Sequence, residues 1–187
     1  MGRRFFIDMD GVVAKWEKAS LEEMTTEGFF SSRKPDENVI GMVNMLMDKK
    51  ETEGIEVYIL SSYLLPISKK EKIQWNAQHT HIPEKDQIYV PYGESKTKAL
   101  EVIGGIREND VLLDDFSDNL REWGGIAVKL YNGINGTKGT WNGFSVHGNM
   151  KPEVMVSQLD GISMIETTRM RMEKQDQAEK QKTGLKR

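Results

Sequence analysis

Three short apolar runs, Arg4 to Ile7, Glu56 to Leu60 and Val111 to Leu113, most constrain what this chain can fold into. Each is rich in aromatic or branched residues and stops at acidic or small polar ones. Apolarity without alternation is what a strand covered on both faces requires, so the runs read as buried parallel strands. Between the second and third lie Lys69 to Gln78 and Lys96 to Ile103, both composed of helix-forming residues. Strand, helix and strand then alternate as in a doubly wound, Rossmann-like α/β fold with a parallel sheet. Ligands of such sheets bind beyond the carboxyl ends of the strands, where Asp8, Ser61 and Asp114 all fall.

At 187 residues the chain matches one domain with a small insertion. We expect a core over 1–165, a small helical cap inserted at 15–54, and a charged tail at 166–187 that is frayed or disordered, because little apolar surface is available there. The chain has no cysteine, which excludes disulfides, thiolate metal sites and a thiol nucleophile and suits a reducing cytoplasm. Its first residues lack the apolar length of a signal peptide, and no stretch approaches a membrane span, so a soluble, cytoplasmic protein without membrane partners is expected. A formal charge of -3 gives no general attraction to a nucleic acid polymer. A phosphate-bearing ligand must therefore be drawn by local cations or a metal.

Asp8-Met9-Asp10-Gly11, directly after the first run, is the strongest chemical signal. Strand alternation places Asp8 and Asp10 on one side, where two carboxylates can hold a divalent cation through hard oxygens. The cation screens the repulsion that otherwise raises one of their pKa values. Gly11 lets the chain turn where a side chain would crowd an incoming phosphate. An ordinary acidic turn is the competing reading, and the rest of the chain weighs against it. Ser61 and Ser62 end the second run and can donate hydrogen bonds to phosphate oxygens. Asp114-Asp115 brings a further acidic pair to the same edge. A lysine between the second and third runs would neutralise charge on a transferring phosphoryl group, and Lys96, at the start of a helix, suits this better than Lys98. His79 and His81 read as loop surface, since no third metal ligand stands at a suitable spacing. Asn132 to Gly136 reads as a glycine-containing turn without the lysine and serine of a phosphate loop.

In this order, Asp8-Met9-Asp10-Gly11, Ser61, Lys96 and Asp114-Asp115 resemble the four motifs of the haloacid dehalogenase-like phosphatase superfamily, over roughly the first two thirds of the chain. The resemblance implies Asp8 as a nucleophile forming an aspartyl-phosphate, Asp10 as general acid and base, and Ser61, Ser62 and Lys96 on the phosphoryl oxygens. It also implies Mg2+ held by Asp8, the Asp10 carbonyl and Asp114, with Asp115 acting through water. Gly28-Phe29-Phe30 before Pro35, together with Asn119-Leu120 and Trp123 after the acidic pair, is similar to the 5'(3')-deoxyribonucleotidase, or type C 5'-nucleotidase, group. That likeness implies a nucleoside monophosphate as the small phosphate ester, with Phe29 or Phe30, or Trp16, against its base. A sugar phosphate is the alternative substrate, and a non-catalytic binding module the alternative class.

Overall fold

A computed structural model describes residues 2–134 and 141–184. In chain order the elements are β1 (Arg4–Ile7), α1 (Leu21–Met24), α2 (Glu37–Asp48), α3 (Lys50–Glu53), β2 (Glu56–Tyr63), α4 (Pro66–His79), β3 (Gln87–Pro91), α5 (Lys96–Ala99), β4 (Val111–Asp114), α6 (Ser117–Arg121), β5 (Ile126–Tyr131), β6 (Phe144–His147) and α7 (Pro152–Gly184). A short 3-10 turn, Leu100–Ile103, continues α5. All six strands are parallel, in the order β3-β2-β1-β4-β5-β6. The chain reverses its direction of travel across the sheet between β1 and β4, so a crevice opens at their carboxyl ends.

Alternation within the strands separates two cores. Phe5, Ile7, Val57, Ile59, Val111 and Leu113 face one side, where α2, the first half of α7 and Trp75 of α4 cover them. Phe6, Leu60 and Leu112 face the other and meet Leu100, Leu120 and Trp123. Burial of each such side chain contributes roughly 1.5–3 kcal/mol, and this sandwiching explains why the runs show no polar alternation. Among the described residues no helix is long and apolar enough to cross a membrane.

Two boundary expectations change. Of the segment 15–54 expected as a cap, only the first part lies outside the core. Helix α2 is capped by Asp36, whose carboxylate accepts from the Val39 amide, and buries Val39, Met42, Val43 and Leu46 against the sheet and α7. A Cβ on Gly41 would stand 2.8 Å from Pro152 Cγ, so the glycine lets α2 and α7 approach closely. The segment from Glu166 expected to fray is, through Gly184, the second half of α7. Its first half is docked, and extending a formed helix requires no new nucleus. Arg169 adds ion pairs to Glu166 and Glu173 one turn away on either side. Part of the Asn132 to Gly136 turn, and the chain end beyond Gly184, lie outside the described residues.

Candidate active site

The tip of β1 delivers Asp8, whose backbone amide still bonds the Leu113 carbonyl of β4 at 3.0 Å. That bond sets the nucleophile candidate beside Asp114, the last residue of β4. Lys96, the first residue of α5, reaches across with its Nζ 2.9 Å from Asp8 Oδ1 and 2.7 Å from Asp114 Oδ2. Its helix is capped by the Ser95 hydroxyl, which accepts from the Lys98 amide, while Lys98 itself is exposed. Lys96 and Asp114 are both buried. Burial of the ammonium lowers its pKa, but Asp114 and Asp8 outweigh it and hold Lys96 above its ordinary value. Burial raises the Asp114 carboxyl above the usual carboxylate range despite Lys96. Asp114 is fixed further by the Phe116 amide on Oδ1 and the Asn119 amide on Oδ2, each at 2.8 Å.

Asp115 lies closer to the centre than expected. One carboxylate oxygen from each of Asp8, Asp114 and Asp115 falls within 4.8 Å of the others. Three convergent, buried hard-oxygen donors could hold a metal ion, two of them being paired here with Lys96. Asn132, just past β5, holds Asp115 from behind, donating to its Oδ2 at 2.8 Å and to the Gly11 carbonyl at 2.7 Å. Gly11 has φ +77, and a Cβ there would stand 2.1 Å from Asp115 Oδ2. The glycine is therefore required by the carboxylate beneath it as well as by the turn.

The Asp10 side chain does not pair with Asp8 as strand alternation had implied, because β1 ends at Ile7 and the chain turns at Gly11. Its Oδ2 is 2.5 Å from Lys72 Nζ. Its Oδ1 is buried and has no hydrogen-bond partner among the described residues. Burial raises the Asp10 pKa, with Lys72 pulling the other way. Lys72 also donates to Ser61 Oγ at 3.2 Å and to the Ser62 carbonyl at 2.5 Å. Ser61 and Ser62 lie inside β2, which runs on to Tyr63.

Lys72 is the site residue that sequence reasoning missed, because it lies within Lys69-Lys70-Glu71-Lys72 and looks solvated. A signal was present: Ser68, Glu71, Lys72, Trp75 and Asn76 recur at helical spacing and form the buried face of α4. Glu71 on that face accepts from the amides of Gly28 at 2.6 Å and Phe30 at 3.0 Å, pinning the turn before α2. Phe30, expected against a base, is 3% exposed and lies 4.5 Å beneath Lys72 Nζ, so protein occupies its surroundings. Phe29 meets Phe30 and Trp16 edge-on and carries the Arg33 guanidinium 4.4 Å over its ring. Trp16, not Phe29 or Phe30, borders a cavity of about 810 Å³ that shares Gly11 and Asn132 with the acidic cluster and continues to Tyr131 and His147. A comparison with profiles of known protein families finds no match, and a comparison with curated protein sequences finds none.

Proposed function

We propose that the chain is a magnesium-dependent phosphomonoesterase that attacks its substrate with Asp8 and hydrolyses nucleoside 5'-monophosphates or their deoxy forms. The observation that carries this reading is the buried ammonium of Lys96 bridging Asp8 and Asp114, with Asp115 converging on the same point. A phosphoryl group needs the same set: a nucleophilic oxygen, a cation for its charge and acids to hold a metal. The resemblance of the ordered motifs to the haloacid dehalogenase-like superfamily supplies the reaction class, and the acidic cluster between β1 and β4 is consistent with it.

In this mechanism an Asp8 carboxylate oxygen bonds to phosphorus while the bond from phosphorus to the ester oxygen breaks. The leaving oxygen takes a proton from Asp10 Oδ1, which is not engaged by Lys72, whereas Oδ2 is held by it. Burial raises the pKa of this carboxyl, which helps it carry that proton. The resulting aspartyl-phosphate is opened by water, whose proton returns to Asp10, releasing phosphate and free Asp8. Lys96 and Ser61 orient the phosphoryl oxygens. Mg2+ held by Asp8, Asp114 and Asp115 would supply Lewis-acid stabilisation of phosphoryl charge. The cavity beside Gly11 has room for a nucleoside, with Trp16, Tyr131 and His147 as ring faces.

The test is phosphate release from a panel of nucleoside monophosphates and sugar phosphates, with and without magnesium. We expect metal-dependent turnover that favours nucleotides and falls to background in Asp8→Asn with the fold retained. A panel turned over equally by wild type and Asp8→Asn removes the assignment.

A further inference from the structure

The amino-terminal edge of the sheet, opposite the acidic cluster, carries a second polar concavity of about 310 Å³ between the loop before β4 and the outer half of α7. From this geometry we infer that it is a binding site for a phosphate group, held by Arg107 and Arg171.

Thr167, Met170, Arg171 and Lys174 recur at three- and four-residue spacing, so they form one stripe of α7 facing Arg107, Glu108 and Asn109. Three cations therefore face one acid, and that acid is used, since Glu108 pairs with Lys174 at 2.7 Å. The Arg107 and Arg171 guanidiniums have no hydrogen-bond or ion-pair partner among the described residues. Thr167 Oγ1 is buried and equally without a partner. Two guanidiniums without partners on the walls of one concavity offer paired N–H donors to a tetrahedral oxyanion.

The loop wall is rigid. Asp110 accepts from Arg4 Nε at 2.8 Å and Nη2 at 2.5 Å, and from the Arg107 amide at 2.7 Å. Arg4 also donates to the carbonyls of Ile103 and Gly105. The nearest buried acid is thus neutralised by Arg4 and does not compete for Arg107. Arginine in place of lysine at two of the three positions favours bidentate recognition of a tetrahedral oxyanion.

Titration in magnesium-free buffer, followed by calorimetry and by amide shifts of residues 107–109 and 167–174, tests the site without relying on turnover. Inorganic phosphate and a nucleoside monophosphate are the two probes, used on wild type and on Asp8→Asn. Saturable binding is expected in both proteins, weakened at least about tenfold, or 1.4 kcal/mol, in Arg107→Gln/Arg171→Gln. Arg171→Gln alone, on the exposed outer half of α7, serves if the double variant does not fold. Tighter binding of the nucleotide identifies an esterified phosphate as the ligand, and equal or weaker binding identifies the free anion; both uphold the site. No saturable binding, or equal binding by wild type and the arginine variants, overturns it. Loss of phosphatase activity alone leaves this result unaffected.

Discussion

Lys96 and Lys72 are both buried, and each answers a different acid. Lys96 stands between Asp8 and Asp114, and Lys72 holds Asp10 and Ser61. Removing one partner of a buried ion pair strands the other charge, at a cost of about 3–5 kcal/mol. Lys96→Met is therefore expected to destabilise the metal-free protein strongly, because Asp8 and Asp114 then face each other unscreened. Added magnesium should recover much of that loss, since a cation among the same oxygens replaces the missing ammonium. Urea unfolding of Lys96→Met with and without magnesium checks this, and equal midpoints in the two conditions would count against a metal between Asp8 and Asp114. Turnover should remain low in either case, because the phosphoryl oxygens lose a fixed donor.

At the scale of elements, α4 links the site to the segment that precedes α2. Its Glu71 carboxylate collects the amides of Gly28 and Phe30, its Trp75 indole donates to the Arg33 carbonyl at 2.7 Å, and its Lys72 lies over Phe30. Glu71→Gln weakens the charge-assisted bonds from the Gly28, Phe30 and Ser31 amides, each worth about 1.5–3 kcal/mol. Hydrogen exchange at residues 28–31 should accelerate while that of β1 and β4 is unchanged; uniform acceleration across the sheet would mean that Glu71 supports the whole core instead. What the sequence makes legible follows from the same packing. The central strands β1, β2 and β4 are covered on both faces, so their runs are continuous and readable. Strands β3 and β6 escape such reading because each is a short edge strand, paired on one side only and partly exposed, and β3 ends in a proline. The helical character of α2 is visible in its apolar spacing, but whether that face meets a cap or the sheet depends on which layer it joins. Asp8, Ser61, Lys96 and the Asp114-Asp115 pair are readable because each stands at or near a strand tip or helix start. Lys72 needed the helical phase of α4, and the departure of Asp10 from Asp8 needed the turn at Gly11.

Across the whole molecule the sheet gathers a cluster of buried carboxylates at one end and a closed pair of Arg4 and Asp110 at the other. At the amino edge Arg4 and Asp110 form a buried pair with 1% and 0% of their side chains exposed, and each is further hydrogen bonded to backbone groups. At the carboxyl edge three buried carboxylates converge, two of them paired with the ammonium of Lys96. A fold with that cluster gains stability from any cation that binds it in the native state and not in the unfolded chain. The gain is about 2.7 kcal/mol when the free ion stands at 100 times its dissociation constant. For a chain of this size each kcal/mol moves the melting temperature by about 2–4 °C. Magnesium should therefore raise the melting temperature by several degrees and saturate, and the same concentration of sodium chloride at matched ionic strength should not. Asp114→Asn removes one ligand and also breaks the buried pair with Lys96 and the acceptor of the Asn119 amide, so the metal-free variant should melt below the wild type and lose most of the magnesium-dependent rise as well. A variant that keeps the full rise would show that the ion binds elsewhere, since Asp114 lies at the centre of the cluster with no exposed surface through which a distant ion could act.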